Sequence, residues 1–365
     1  MTTGEDVQSA AALNRRDFVQ RAVALGAAGL VGSSARAAAG ERQRRIIIDT
    51  DPGVDDAVAI LLALRSPELS VEAITPVAGN VPLSLTLPNA LRMLELAGRT
   101  DIPVAAGAEG PLERELITAS YAHGNNGLAG VEFPEPTTRP VAEAASQLIT
   151  RLIRGSPGEI SIVAIGPLTN LALAFRADPA LPSMVKDITI MGGSLSGGNI
   201  TPAAEFNAYV DPEAAQIVFH SGAPITMIGL DVTRQISVTE VVLQKLSSAD
   251  NPLGRAAGRI LRAQIEQLRR TGIDDGTLHA HDALAMASCI EPGLVSRHPM
   301  HIEVETRGEW TAGETLGYRR PLRRSAPRQQ APSDSSLAPP AANAVVALEV
   351  DVGRFLELLT ERLAA

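Results

Sequence analysis

Four aspartates stand close together near the start of this chain, directly after an isoleucine-rich run. Within Ile46–Ile60, IIIDTDPGVDDAVAI, they occupy positions 49, 51, 55 and 56. Carboxylates this close repel one another unless a cation or strong hydrogen-bond donors hold them. Hard cations such as Ca²⁺ and Mg²⁺ bind carboxylate and carbonyl oxygens. The segment therefore predicts a cation site, against the simpler alternative of an acidic helix start beside a polar turn.

The same segment predicts a strand, a turn and a helix in succession. Arg45–Ile48 is typical of a buried β-strand because it is mostly β-branched, and Pro52-Gly53 is typical of a turn. Asp55 and Asp56 suit the first turn of a helix, where the positive end of the helix dipole stabilises negative charge. Neighbouring helical residues point about 100° apart. We therefore expect one of these two acids to bind an ion and the other to face a substrate.

Composition limits the classes of protein that this chain can belong to. Its 365 residues, 45% hydrophobic and 20% charged, are enough for one large core or two modest domains. A net charge of −9 argues against binding to nucleic acid or to an anionic membrane, and it suits a small neutral or weakly charged substrate. The single cysteine, Cys289, excludes an intrachain disulfide and disfavours a zinc–thiolate site.

The first 39 residues predict an export signal that is removed from the mature protein. Asn14–Val19, NRRDFV, resembles a twin-arginine signal, and the Gly/Ala-rich segment Ala22–Val31 follows it. Small residues at Ala35–Ala37 or Ala37–Ala39 offer a cleavage site. The apolar segment is too short and too weakly apolar for a membrane span. We expect a periplasmic or secreted protein with no stable membrane association, the alternative being an amphipathic or disordered N-terminus.

From residue 40 onward, short apolar runs alternate with amphipathic helix patterns. This alternation predicts a single α/β domain, residues 40–365, with an open, mostly parallel, Rossmann-like sheet and helices on both faces. Residues 319–342, rich in Pro, Ser, Arg and Gln, predict a flexible insertion. The predicted strands are Arg45–Asp49, Val71–Val77, Ile160–Ile165, Asp187–Met191, Pro224–Gly229 and, after the insertion, Asn343–Asp351. The predicted helices include Pro82–Ala97, Val141–Arg154, Pro212–His220, Leu253–Arg270 and Arg354–Leu363.

Further polar motifs fall where the predicted strands end, which is where ligands bind in open α/β sheets. Asn199–Asp211 carries Asn and Glu side chains that could hydrogen-bond vicinal hydroxyls, or it is a solvated loop. His281-Asp282 precedes an apolar helix pattern, so Asp282 would add one more acid to the ion site. His281 is expected to titrate near neutrality, as a general acid must, unless it is structural. Residues 122–127, AHGNNG, predict a lid or a plain turn.

In order along the chain, these motifs resemble one family, the calcium-dependent nucleoside N-ribohydrolases of the inosine–uridine-preferring type. The resemblance covers roughly residues 44–317, with a weaker tail from residue 343, and the full ordered set is highly specific. It implies hydrolysis of the N-glycosidic bond of ribonucleosides to ribose and free base by a Ca²⁺-bound water, in a homodimer or homotetramer. The matching motifs are DTDPGVDDA, VAGN ending at Asn80, HGNNG, GPLTN, MGG, EFN with the following DPEAA, and HDALA.

The resemblance also implies a role for each matching residue. Asp51, Asp56 and Asp282 would bind Ca²⁺, together with the backbone carbonyl of Ile165. Asp51 would be the general base, and His281 would be the acid that protonates the leaving base. The other matching residues would bind the substrate: Asp55, Asn80, Asn199, Glu205 and Asn207 the ribose hydroxyls, Met191 the sugar, and Phe206 and His123 the base.

The sequence leaves two other classes of protein open. A haloacid-dehalogenase-type phosphatase also begins with a strand and a DxD motif, but it leaves the HDALA and EFN motifs without a role. A non-catalytic periplasmic binding protein for ribose or nucleosides would suit export, but binding alone needs neither the base Asp51 nor the acid His281. Release of reducing sugar from uridine and inosine, with and without a chelator, distinguishes these alternatives.

Overall fold

A computed structural model describes residues 43–272, 276–318 and 340–365. The predicted export signal, residues 1–39, and most of the predicted insertion, residues 319–339, lie outside the described residues. In the described part no helix has the length and apolar character that a membrane crossing requires.

The centre of the fold is a seven-stranded sheet in the order β2-β1-β3-β4-β5-β9-β6. All neighbouring pairs are parallel except β9 and β6, which are antiparallel. A separate antiparallel pair consists of β7 and β8. The strands are β1 Arg44–Thr50, β2 Leu69–Pro76, β3 Ile160–Ala164, β4 Ile188–Met191, β5 Ile225–Ile228, β6 His298–Met300, β7 Ile302–Val304, β8 Thr315–Gly317 and β9 Ala344–Val346.

Helices join these strands along the chain. They are α1 Val54–Leu64, α2 Leu83–Leu96, α3 Ser120–His123, α4 Ala145–Gly155, α5 Thr169–Ala177, α6 Phe206–Val210, α7 Pro212–Phe219, α8 Leu230–Thr233, α9 Glu240–Ser247, α10 Pro252–Thr271, α11 His281–Ile290 and α12 Val352–Ala364. Leu181–Met184 and Pro292–Leu294 form short 3₁₀ helices.

Each face of the sheet has its own hydrophobic core. Successive strand residues point to opposite faces, so Ile46 and Ile48 pack into one cluster with α1, α2, α10, α11 and α12. Ile47 packs into the other cluster with α4, α5 and α7. The mostly parallel sheet covered on both faces confirms the predicted fold class.

The five strands predicted before the insertion are present, with ends that differ by one or two residues. The helix predicted from Val141 begins only at Ala145, because Val141 instead pairs with Ala105 as an isolated β-bridge. The last strand is shorter than predicted, since the Leu348 and Glu349 amides donate to the Ser296 hydroxyl and leave the ladder.

The arrangement around β1 determines where a ligand can bind. β1 has β2 on one side and β3 on the other, and the chain crosses from one side to the other after β2. In open α/β sheets the crevice beyond the carboxyl ends of the strands at such a point is the usual ligand site. The aspartate-rich segment follows β1 at this place.

Candidate active site

Asp51 lies directly beyond the end of β1 and is fully buried. Its Oδ2 accepts a 2.7 Å hydrogen bond from the backbone amide of Asn80, and its Oδ1 has no hydrogen-bond partner in the described residues. Two glycines leave the room for this side chain. A Cβ on Gly79 would lie 2.1 Å from Oδ2, and a Cβ on Gly166 would lie 2.7 Å from Oδ1. The local sequence thus keeps one buried carboxylate oxygen free.

Asp56 is held in place by four hydrogen-bond donors at the start of α1. Oδ1 accepts from the Thr50 hydroxyl at 2.6 Å and from the Asp51 amide at 3.1 Å. Oδ2 accepts from the Gly53 amide at 3.0 Å and from the Asn80 side-chain amide at 2.9 Å. These donors fix the carboxylate against the end of β1.

The start of α11 brings a third helix-terminal acid to the same place. One carboxylate oxygen each of Asp55, Asp56 and Asp282 lies within 4.8 Å of the others. All three side chains are buried. Asp282 is more than two hundred residues distant in sequence, so only the fold brings these acids together.

Burial and mutual repulsion act on the charge of this cluster. Burial, followed by the nearby Asp56 charge, raises the pKa of Asp51 well above its usual value. Burial, followed by Asp55 and Asp56, does the same to the pKa of Asp282. Burial raises the pKa of Asp55 to about 6. A dication among these oxygens would stabilise the ionised carboxylates and so oppose all three shifts.

A cleft opens over the acids and encloses about 750 Å³, its mouth included. Asp55 lines the cleft, whereas Asp56 faces the end of β1. The cleft lining includes Asp55, Asn80, His123, Ile165, Met191, Asn199, Glu205, Phe206, Asn207, His281 and Asp282, all of which were predicted for the site. Asp51 and Asp56 lie beneath them.

The second half of the Asn199–Asp211 segment, residues 204–211, is mostly buried in the site, whereas residues 199–203 are exposed or half-buried, so the solvated-loop alternative applies only to the first half. Glu205 is the N-cap of α6, and its carboxylate accepts from the amides of Gly193, Asn207 and Ala208. The Asn207 side-chain amide donates to the backbone carbonyls of Ile165 and Met191 at 3.2 and 3.1 Å. The carbonyl predicted to bind calcium therefore contacts an amide predicted to bind ribose.

Two histidines from different elements face the cleft. His123, at the end of α3, accepts a 3.2 Å hydrogen bond from the Val54 amide on Nδ1, which places its ring proton on Nε2. His281, at the start of α11, contacts the Thr233 hydroxyl through Nδ1 at 2.8 Å. Burial lowers the pKa of His123 to about 4.

The expectation that His281 titrates near neutrality is wrong. Burial, followed by the neighbouring His279, lowers the pKa of His281 to about 3, so the imidazole is neutral at pH 7. A neutral ring still carries one N–H. If the Thr233 hydroxyl donates to Nδ1, that proton lies on Nε2. His281 can therefore donate a hydrogen bond, although not as an imidazolium.

Asp49, to which the sequence assigns no role, supports the site from beneath. Its Oδ1 accepts from the Thr75 hydroxyl at 2.7 Å and from the Asn170 side-chain amide at 2.8 Å. The Asn170 amide also donates to the Thr75 carbonyl, at 3.2 Å. Asp49 thus joins β1 and β2 to the start of α5, next to the loop that carries Ile165.

Gln264 in α10 is a cleft residue that the sequence analysis missed. Its side chain is buried, and its Oε1 has no hydrogen-bond partner in the described part of the chain. It lies on the same helix face as Leu261 and Leu268, which is otherwise apolar. A polar side chain within an apolar stripe is the signal that could have identified it.

Solved structures of nucleoside hydrolases share this fold. The plant nucleoside hydrolase PpNRh1 aligns with a TM-score of 0.79 and 36% identity, over 89% of this chain and 100% of its own. A purine-preferring ribonucleoside hydrolase from Gardnerella vaginalis aligns with a TM-score of 0.79 and 32% identity, over 88% of this chain and 98% of its own. The fold and the acid-lined cleft therefore define a nucleoside hydrolase.

The family follows from the sequence matches. Residues 46–357 match the family model described as inosine-uridine preferring nucleoside hydrolase. The pyrimidine-specific ribonucleoside hydrolase RihA of an Enterobacter species is 41% identical over 321 residues, 87% of this chain and 97% of the relative. RihA of Photobacterium profundum is 42% identical over 323 residues, which are 88% of this chain and 99% of the relative. The chain belongs to the inosine-uridine preferring nucleoside hydrolase family.

Membership of this family establishes the type of reaction that the protein catalyses. The protein is an enzyme that hydrolyses the N-glycosyl bond of nucleosides, and its family depends on a metal. The resemblance inferred from the motifs is confirmed. The phosphatase alternative is excluded, and the non-catalytic binding protein is not favoured.

Proposed function

We propose that this enzyme hydrolyses pyrimidine ribonucleosides, such as uridine and cytidine, to ribose and free base with the help of a bound Ca²⁺. The observation that carries the proposal is the convergence of Asp55, Asp56 and Asp282 at the active-site cleft. The preference for pyrimidines is supported by the two relatives named as pyrimidine-specific, which match nearly the whole described chain.

The donor set fits a hard dication. All of the side-chain donors are carboxylates, and Ile165 lines the same cleft. The Oδ1 atoms of Asp51 and Asp55 are buried and have no hydrogen-bond partner among the described residues. Ca²⁺ prefers such oxygen ligands, and six to eight of them is usual for this ion. Asp51, Asp56, Asp282 and the Ile165 carbonyl would hold the ion. When bound, it supplies positive charge that makes a nearby water easier to deprotonate.

The ribose would lie between the acids and the amides of the cleft wall. Asn80, Asn207 and Asn199 offer amide groups, while Asp55 and Glu205 offer carboxylate oxygens to the sugar hydroxyls. Breaking the N-glycosidic bond leaves positive, oxocarbenium-like charge on the ribose. Carboxylates fixed around the sugar before the reaction oppose that charge and lower the barrier.

The chain's own groups would also handle the protons. Asp51 has one free buried oxygen, which would accept a proton from the attacking water. His281 lines the cleft and would donate a hydrogen bond from Nε2 to the departing base, which would leave as an anion and take up a proton from solvent, while Asp51 returns its proton to solvent. Phe206 and His123 also line the cleft and would contact the base.

Release of reducing sugar from a panel of purified ribonucleosides tests this proposal. We expect kcat/KM for uridine and cytidine to exceed that for inosine and adenosine. Preference for the purines would overturn the substrate assignment alone. Tight binding of nucleosides with no ribose released from any of them would favour a binding protein instead.

We also propose that the protein is exported by the twin-arginine route and acts in the periplasm or outside the cell. The support is the Asn14–Val19 motif and the apolar segment after it. Replacing Arg15 and Arg16 by lysine should leave the protein in the cytoplasm, as measured by cell fractionation. Unchanged export of this variant would contradict the assignment.

We further propose a homodimer or homotetramer, as the resemblance implies. Exposed large apolar side chains, Trp310, Leu316 and Tyr318, lie on and near the β7–β8 pair and offer a surface for association. Light scattering of the purified enzyme measures the subunit number directly, and a monomer at micromolar concentration would contradict the proposal.

A further inference from the structure

A second group of metal-binding side chains lies outside the active site. His220 follows the last residue of α7, His301 lies between β6 and β7, and Glu303 lies within β7. One ligand atom of each side chain lies within 4.8 Å of the other two. None of these residues lines the active-site cleft, and no motif of the family resemblance includes them.

The three side chains already face one another. Glu303 lies between the two imidazoles, with Oε2 3.0 Å from His220 Nε2 and Oε1 2.7 Å from His301 Nε2. The His220 and Glu303 side chains are partly exposed, whereas His301 is largely covered. Water can therefore reach the group from one side, and a bound ion could complete its coordination with solvent.

The backbone selects the nitrogen that His301 presents. Its Nδ1 lies 2.8 Å from the carbonyl of Ala341, which can only accept a hydrogen bond, so Nδ1 carries a proton. The lone pair of the neutral ring is then on Nε2, which points at Glu303. Metal-binding histidines are usually oriented in this way, by donating the other ring N–H to a carbonyl or carboxylate.

The carboxylate supplies the negative charge that such a site needs. The hydrogen bond from His301 lowers the pKa of Glu303, so this side chain is ionised at neutral pH. Burial alone would lower the pKa of His301, but the bonds to Glu303 and Ala341 raise it above its usual value. Without a metal, a proton on His301 Nε2 occupies the position that a cation would take.

We propose that His220, His301 and Glu303 form a binding site for a borderline transition-metal dication such as Zn²⁺. Zinc binds imidazole nitrogens and carboxylate oxygens at about 2.0–2.2 Å, and tetrahedral ligands at that distance lie roughly 3.4 Å apart. The observed separations of 2.7 and 3.0 Å, which join the imidazoles to different oxygens of Glu303, would widen towards this value, and one ligand atom of each of the three side chains already lies within 4.8 Å of the others. Two nitrogens and one carboxylate leave at least one position for water.

The two metal sites should select different ions. The active-site cluster offers only oxygen side-chain ligands, which suit Ca²⁺, whereas imidazole ligands suit Zn²⁺, Co²⁺ or Ni²⁺. A metal bound by His220 and Glu303 would link the end of α7 to β7. The site therefore stabilises that part of the fold and takes no part in the hydrolysis.

Calorimetric titration with Zn²⁺ in saturating Ca²⁺ tests the proposal, using enzyme without a polyhistidine tag. We expect one Zn²⁺ per chain, and Co²⁺ in its place should give visible absorption bands that report its ligands. Even partners outside the ligand set contribute about 10–100-fold to metal affinity. His220→Ala and His301→Ala should therefore each weaken Zn²⁺ binding at least that much, with turnover unchanged in Ca²⁺.

His298→Ala is the matched control, because His298 is an exposed histidine on the neighbouring strand β6 and is not part of the group. It should bind Zn²⁺ as the wild type does. Glu303→Gln, which keeps the size of the side chain, should weaken binding as the histidine variants do. Absence of Zn²⁺ binding to the wild type would overturn the proposal and leave a His–Glu–His hydrogen-bond group, and equal binding by all variants would also overturn it.

Discussion

A Cβ added to Gly79 would lie 2.1 Å from Oδ2 of Asp51, closer than side-chain atoms can approach. The Gly79 position after β2 thus determines whether Asp51 can occupy its place after β1. The next residue, Asn80, donates its backbone amide to the same oxygen at 2.7 Å. One turn therefore supplies both the space and the hydrogen bond that orient the proposed general base.

Gly79→Ala is expected to inactivate the enzyme through this contact. The methyl group must displace the Asp51 carboxylate, and a misplacement of about 1 Å in a catalytic group can lower the rate about 100-fold. Steady-state kinetics with uridine measure the effect. Gly155→Ala is the control, since a Cβ at Gly155 meets no atom within 4 Å. Equal activity of both variants would contradict the positioning role of Gly79.

Asp51→Asn should remove the proton acceptor with little change in shape. General base catalysis contributes about 100- to 10,000-fold, so kcat should fall by that order. The exposed Asp101, which pairs with Arg99 at the surface, provides the control variant Asp101→Asn. Circular dichroism and kcat should be measured for both. Near-normal turnover by the folded Asp51→Asn variant would show that another group is the base.

Thr233→Val should impair catalysis by releasing His281. The variant keeps the size of the side chain but removes the hydroxyl that contacts His281 Nδ1 at 2.8 Å. We expect kcat to fall roughly tenfold, the order of one net hydrogen bond, with a smaller change in KM. Thr233→Ser keeps the hydroxyl and should restore kcat. If Thr233→Val and Thr233→Ser had equal kcat and differed only in thermal stability, the hydroxyl would have a structural role alone.

Gln264→Ala tests which group discriminates between bases. Oε1 of Gln264 has no hydrogen-bond partner in the part of the chain that the structure describes, so it is available to a donor on the base. Losing that bond should lower kcat/KM by about tenfold for the preferred nucleoside and less for others, so the ratio between uridine and inosine should change. Gln244→Ala on α9, away from the cleft, is the control. A uniform loss for all nucleosides would contradict a role in base selection.

Much of this site could be predicted from sequence because its motifs are local. The order of strand, turn and acidic helix start around Asp51 and Asp56 follows from short-range rules, and so does the placement of Asp282 at a helix start. The motifs do not show how deeply each residue is buried. The neutral state of His281 depends on its burial among α8, α11 and neighbouring side chains, which no short segment encodes.

Long-range contacts account for the remaining differences. Helical spacing predicts that Asp55 and Asp56 have separate tasks, yet Asp55 lies close to both Asp56 and Asp282. The prediction is compatible with this position, since Asp55 also lines the cleft and can face a substrate. Gln264 was missed because α10 packs against the site from a distant part of the chain. The bond from Asn170 to Asp49 crosses 121 residues, so no local pattern could indicate it.

Removal and restoration of calcium provide the most direct measurement of the central claim. Ribose release from uridine should be followed after treatment with EGTA, with elemental analysis to show that the metal has left. The account predicts that turnover is lost and that added Ca²⁺ restores it, while Asp282→Asn needs more Ca²⁺ for the same rate. Full turnover by enzyme that is shown to be free of metal would contradict it.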